Sequence, residues 1–531
     1  MALYADKGRN LDAWLKTVTY YSQQKTEMTE QSRSMSLRHC LGVPDDLGKV
    51  SWFSQRIPSA NAADKETEHA ALPPRGWNSY DAFCWIISEQ EFLESADIVA
   101  KRLLPHGYEY VVVDYLWYRK KVKGAHIDSE GIDLIDEWGR MVPDPERWPS
   151  SKGGKGFTEI AKKVHDIGLK FGIHVMKGIS TQAVNANTLI YDYDKGGPYM
   201  EAGRQWRAQD IAIKEKPCAW MPHGFMAVNT KLGAGKAFLR SLHKQYADWG
   251  VDFVKHDCAF GDDLDEGEIA VVSEVFKGQQ NRPIIYSLSP GTSATPAMAQ
   301  KINGLANMYR VTGDDWDSWP DVAAHFSVAR DFAAANMTGA LGLKGKSWPD
   351  LDMLPLGWLT DANSTQGPYR ACKLTQDEQK TQMTLWAMAK SPLMFGGDVR
   401  KLDDTTYGLI TNPTLLEIDH HSSNNKEFPY INGGKGGATG PSAGAIASGV
   451  RSWIATGRKG EIYLAFFNLN NAKTTIWAEI ADLSKAIPGW KIKPPCKGTE
   501  IWSGKDFGVM KKSVWAEVET HGCALFVLNC N

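Results

Sequence analysis

The stretch VDFVKHDCAFGDD, Val251 to Asp263, opens as a buried strand and closes in a burst of charge. Val251, Phe253 and Val254 are β-branched or aromatic, as a strand packed on both faces requires. Lys255 and Asp257 then follow without a polar spacer, and a carboxylate at the end of an apolar strand is costly to desolvate unless something uses it. Two residues apart on a strand, they point to the same side, so their charges can face each other.

Outward from this strand, short apolar runs alternate with helical patterns. YEYVVVDYLW (108–117), KFGIHVMKG (170–178), PIIYSLS (283–289), MYRVTGD (308–314), SWPDLDML (347–354) and PLMFGGD (392–398) read as strands. FTEIAKKVHDIG, KAFLRSLHKQYADWG, WPDVAAHFSVARDFAAA and LTQDEQKTQMTLWAMA read as helices between them. Alternation of this kind marks a parallel sheet. With RGWNSYD (75–81) as the first strand there are eight in all, the number that closes a (β/α)₈ TIM barrel. A doubly wound open sheet is the competing architecture, but no GxGxxG follows the first strand to support a dinucleotide site.

Residues 1–70 read as a peripheral, polar extension, 71–421 as the barrel and 422–531 as a second domain. Within the barrel, residues 179–235 are too long for a plain loop and read as an excursion at its mouth. After Ser422 comes the Gly-rich NGGKGGATGPSAGA, and then RSWIATG, EIYLAFFNLN, TTIWAEIA, VWAEVET and CALFVLN, strands separated by turns. That pattern predicts a C-terminal antiparallel β-sandwich.

With Lys+Arg 60 against Asp+Glu 62, and no basic run of five or more residues, the chain has no phosphate-binding face, and nucleic acid is not an expected partner. No apolar stretch is long enough to span a bilayer, so no membrane partner is expected either. MALYADKGRNLDAW lacks the charged start, apolar core and cleavage site of a signal peptide, so the compartment is not legible. The eight cysteines include no CxxC pair that would suggest zinc, leaving buried thiols or one or two disulfides. Asn336-Met337-Thr338 and Asn363-Ser364-Thr365 are glycosylation sequons. The 20 tryptophans suit either packing or sugar stacking.

In a parallel barrel the active site lies at the C-terminal ends of the strands, and here nearly every strand ends in charge. Lys255 and Asp257 close one, Arg310 and Asp314 another with the same parity, and Asp350 and Asp352 a third; Asp114 and Asp398 close two more. Asp262, Asp263, Asp315 and Asp317 lie in loops or ahead of helices, where capping suffices to explain them. Two carboxylates from different strands, each with a cationic partner, suit the acid and nucleophile of a glycosidase. An oxygen cage for a divalent metal, built from Asp114, Asp257, Asp314 and Asp352, is the competing reading, but Lys255 and Arg310 would then stand where the cation belongs. No metal and no cofactor are expected.

The motifs GWNSY at Gly76, VVVD at Asp114, VKHD at Asp257, RVTGD from Arg310 to Asp314 and WPDLDM from Trp348 to Met353 resemble glycoside hydrolase family 27, the melibiase-type α-galactosidases. Within that family the chain looks like the plant subgroup acting on β-L-arabinopyranosides and α-galactosides of arabinogalactan. The resemblance implies a retaining exo-hydrolase with Asp257 as nucleophile and Asp314 as acid/base. Burial and neighbouring carboxylates would keep Asp314 protonated. It also implies that Trp77, Asp114, Lys255, Arg310 and Asp352 hold the sugar. Carbohydrate is then the expected partner, and a secreted, cell-wall or vacuolar location is implied.

The chain departs from the family pattern at three places. Tyr115 follows Asp114 where the family has a second aspartate near the sugar's O4 and O6, and Ser289 stands where the family senses the C2 substituent. The family's cysteine bridge beside the nucleophile lacks its usual spacing, and Cys258 pairing with Cys218 from the excursion is the expected substitute. A strict α-galactosidase and a catalytically silent carbohydrate-binding protein are the alternatives.

Overall fold

The computed structural model describes residues 68–122, 131–279, 282–362, 364–433, 448–487, 489–490 and 492–530. The expected N-terminal extension to residue 67, most of the Gly-rich connection and the sequon asparagine Asn363 lie outside these residues.

Eight parallel strands follow in chain order: β1 (Arg75–Asn78), β2 (Tyr110–Val113), β3 (Lys170–Met176), β4 (Phe253–Phe260), β5 (Ile285–Pro290), β6 (Met308–Arg310), β7 (Gly345–Asp350) and β8 (Leu393–Phe395). They pair in the order β7-β6-β5-β4-β3-β2-β1-β8. The ring closes just past β7, where Leu354 N donates to Met394 O at 2.8 Å and Gly396 N donates to Leu354 O at 3.0 Å. Closure decides for the (β/α)₈ barrel against the open doubly wound sheet.

The alternation of side chains divides each strand into two files. Tyr110 and Val112 of β2, Phe253 of β4, Ile285 of β5, Met308 of β6, Trp348 of β7 and Met394 of β8 pack together as a cluster of their own and fill the bore. The other parity, such as Trp77, Val111, Val113, Val254 and Tyr286, packs into the larger core shared with the helices. These include α1 (Glu89–Ile98), α2 (Thr158–Asp166), α3 (Gly233–Asp248), α4 (Glu266–Lys277), α5 (Pro296–Lys301), α6 (Trp319–Ala334), α7 (Gln376–Ala389) and α8 (Pro413–His421). The Ser88, Asp265, Ser318 and Thr375 side chains each accept a backbone N–H at the start of α1, α4, α6 and α7, which fixes where four of these helices begin.

The excursion after β3 contains an antiparallel hairpin, Ala212–Pro217 with Phe225–Val228, laid over the barrel mouth. Gly178 makes its close approach possible: φ is +57° there, and a Cβ would sit 2.0 Å from Met226 O.

The C-terminal strands begin at Ser423 and form two antiparallel sheets, one of six strands and one of three. In the larger, β9 (Ser423–Glu427), β10 (Val450–Thr456) and β11 (Ile462–Asn468) lead to β12 (Cys523–Cys530) and the hairpin of Cys496–Glu500 with Asp506–Met510. Ile454, Leu464, Phe466 and Phe526 face the smaller sheet. Trp453, Ala455, Tyr463, Ala465, Phe467 and Leu525 face the barrel helices instead. No described helix is long and apolar enough to cross a membrane.

Candidate active site

The files that fill the bore continue upward into charge. Above Tyr110 and Val112 stands Asp114; above Phe253 stand Lys255 and Asp257; above Met308 stands Arg310. These side chains, with Tyr115, Ser289 and Asp314, line one cavity of about 610 Å³ at the C-terminal ends of the strands.

Each charge has a defined partner. Lys255 Nζ lies 3.0 Å from Asp114 Oδ2, and Asn78 Nδ2 donates to the same oxygen at 2.8 Å. Burial alone would raise the Asp114 carboxyl, but Lys255 and then His174 outweigh it and hold it below its ordinary value. Lys255 therefore turns first to Asp114, while Asp257 is held from β3. His174 Nε2 donates to Asp257 Oδ2 at 3.1 Å, and Cys258 N donates to Oδ1 at 2.7 Å. For Asp257 too, burial would raise the carboxyl. The His174 hydrogen bond and charge, Lys255 and the Cys258 amide overcome it and leave the group well below the carboxylate range.

Arg310 Nη1 lies 2.8 Å from Asp352 Oδ1, and its Nη2 reaches Asp314 Oδ1 at 3.3 Å and Gly313 O at 2.6 Å. The turn after β5 packs on this arginine only because residue 291 is glycine, with φ +82° and no Cβ to strike the Arg310 backbone at 2.4 Å. Two further buried carboxyls are shifted the other way. Asp81 is fully buried, neither of its oxygens has a hydrogen-bond partner among the described residues, and burial followed by the Asp352 charge pushes it well above its ordinary value. Burial also pushes Asp350 up to about 6 despite Arg310.

Several expectations need correction. Trp77 does not reach the cavity: it belongs to the outward file of β1, is fully buried against Phe92 and Phe83, and donates from Nε1 to Gly397 O at 2.9 Å. Asp352 stands behind the cavity wall as the counter-ion of Arg310. Asp314 is not on β6, which ends at Arg310; it sits in the following loop with its side chain 54% exposed, not buried among other carboxylates. Asp262 and Asp263 are more than capping residues, since both line the cavity. Asp317 pairs with Arg370 and Asp398 with Arg400, away from it.

The lining residues that escaped the sequence reading include His174, Tyr80, Trp220 and Trp316. His174 was findable in principle, because it occupies the inward parity of a strand already assigned. Tyr80 closes the GWNSY motif in the short helix after β1, and Trp220 sits in the excursion hairpin, where periodicity carries no signal. The hairpin is tied down by the Cys218–Cys258 disulfide, whose Cα atoms are 5.5 Å apart, the pairing expected in place of the family's usual bridge. A second disulfide joins Cys496 and Cys530 in the sandwich.

Comparison with known proteins agrees with this fold. Residues 78–197 and 231–421 match the family model described as alpha galactosidase A, and residues 447–528 match the alpha galactosidase C-terminal beta sandwich domain. The crystal structure of a GH27 β-L-arabinopyranosidase from Geobacillus stearothermophilus is 33% identical, with a TM-score of 0.72 over 87% of this chain and 97% of that one. An α-galactosidase of Cyamopsis tetragonoloba is 24% identical over 86% of this chain and 86% of its own length. The α-galactosidase 2 of Arabidopsis thaliana is likewise 24% identical over 86% and 90%.

Proposed function

The chain belongs to the alpha galactosidase A family, within glycoside hydrolase family 27, and from that premise we propose a retaining exo-hydrolase that takes terminal β-L-arabinopyranosides at least as well as α-D-galactosides. Asp257 Oδ attacks the anomeric carbon while the bond from that carbon to the leaving oxygen breaks, and Asp314 gives that oxygen its proton. A water then attacks the same carbon, Asp314 takes its proton, and the sugar leaves Asp257. The observation that carries this reading is the treatment of Asp257: an arrangement that keeps a desolvated carboxylate ionised in a cavity serves a nucleophile. Asp114 and Lys255 hold the sugar hydroxyls, and Arg310 with Asp352 orients the far side of the ring.

Substrate choice turns on Tyr115. β-L-arabinopyranose has the ring configuration of α-D-galactose without the C6 hydroxymethyl group, so the two differ only around that carbon. Where an aspartate would accept from O6, Tyr115 presents a ring 5% exposed, wedged against Tyr80 at 5.3 Å, Trp220 at 5.9 Å and His174 at 6.1 Å. Such a ring fills the space of C6 instead of bonding its oxygen. Filling a space of that size discriminates by only about 1–3 kcal/mol, so galactosidase activity persists beside the arabinopyranosidase. The test is kcat/KM for the paired nitrophenyl glycosides: Tyr115→Asp moves the ratio toward the galactoside, and an unmoved ratio means another residue selects.

A further inference from the structure

We propose that Trp220 is the platform on which the leaving group of the substrate stacks, an inference that rests on the glycosidase reading and extends it to the part of the substrate outside the cavity. Exposure grades the cavity into two rings. Asp114, Arg310 and Asp257, at 2 to 7% exposed, form the inner one. Asp314 and Trp220, at 54% for the aspartate's side chain and 42% for the tryptophan, stand in the outer one with the exposed Asp262. The proton donor must lie where the sugar ends and the leaving group begins, so the leaving group occupies the outer ring. Two tryptophans line the cavity, Trp316 and Trp220, and Trp220 is the more exposed face, Trp316 being half-buried against Tyr80.

Its indole is also held in place before any ligand arrives. Cys218, two residues earlier, is bonded to Cys258 beside the nucleophile, and Ala219 N donates to Asp263 Oδ2 at 3.4 Å. The buried Lys177 holds Asp263 in turn at 3.6 Å, and the inner edge of the indole rests on Tyr115. A flat apolar surface with its freedom already removed costs little to cover, and it favours a ring over a small alcohol. Asp262, one residue before Asp263, accepts from Ser293 Oγ at 3.1 Å and offers carboxylate acceptors to hydroxyls of the same group. The leaving group this mouth fits is a pyranose.

The experiment compares a disaccharide in which galactose is α-linked to a pyranose with α-galactosyl fluoride, whose leaving group has no ring. Trp220→Leu, which keeps bulk and loses planarity, lowers the ratio of kcat/KM for disaccharide over fluoride by about tenfold, and Trp220→Phe recovers most of it. Melting curves confirm that both variants are folded. Equal losses on both substrates would instead make the indole a wall for the buried sugar, and no loss on either would make it packing; each result overturns the platform. Wild-type enzyme inert toward both substrates would overturn the reading that galactosides are accepted, and the platform, which is argued on that reading, with it.

Discussion

Asp257 keeps its charge in a place that would ordinarily remove it, and His174 first, then Lys255, do most of the work, with the Cys258 amide adding to it. Because the native carboxyl is depressed, it stays ionised as pH falls through the ordinary aspartate range near 4, and whatever stability its ionised form adds is lost only below that range. His174→Ala leaves burial less opposed, so the group rises and the acid limb of kcat/KM against pH moves to higher pH; an unmoved limb would show that another group sets it. Asp257→Asn lowers turnover of every glycoside by ~10⁴-fold or more. Asp314→Asn instead spares the first step on activated aryl glycosides, which need little protonation, and pre-steady-state release of nitrophenol separates the two. Equal collapse of that step would mean the roles are misassigned. The spacing of Lys255 and Asp257 was legible in the sequence, but their partners were not, since Lys255 meets Asp114 and Asp257 meets His174 only through the register of β4 with β3 and β2.

At the scale of the element, all eight barrel strands were legible because each is a short apolar run with a polar end. What one strand does not reveal is which parity faces the bore. Trp77 shows the cost: it shares a motif with Tyr80, yet one stands behind β1 and the other lines the cavity. Trp77→Phe should therefore act on stability alone, costing about 2 kcal/mol for lost volume and the Gly397 hydrogen bond, while KM on either glycoside stays within about twofold. A specific rise in KM would return Trp77 to the binding site. In the sandwich, Val450–Thr456 and Ile462–Asn468 are buried at every position, which period-2 alternation does not anticipate. The reason is the barrel: one face meets the smaller sheet and the other meets α6 and α7.

Across the whole molecule, that second contact makes barrel and sandwich one body. Phe326 of α6 packs edge-on against Phe467 at 5.0 Å, and Arg451 donates to Phe326 O at 3.2 Å. Thr381 Oγ1 of α7 donates to His521 O at 2.7 Å, and the His521 ring stacks on Trp319 at 4.1 Å. Calorimetry should show barrel and sandwich melting in a single transition, and Phe467→Ala should lower it by the equivalent of about 3–5 kcal/mol without splitting it; two resolved transitions would show that the contact carries little. Among the described residues the bore beneath the cavity is filled from Tyr110 to Met394, so the site opens at the barrel mouth. On the proposed mechanism everything passes there in order: the leaving group departs first, and the sugar stays esterified to Asp257 until water follows it in. An alcohol that takes the vacated seat before water does will receive the sugar in its place, so in concentrated acceptor the same architecture builds glycosides instead of breaking them.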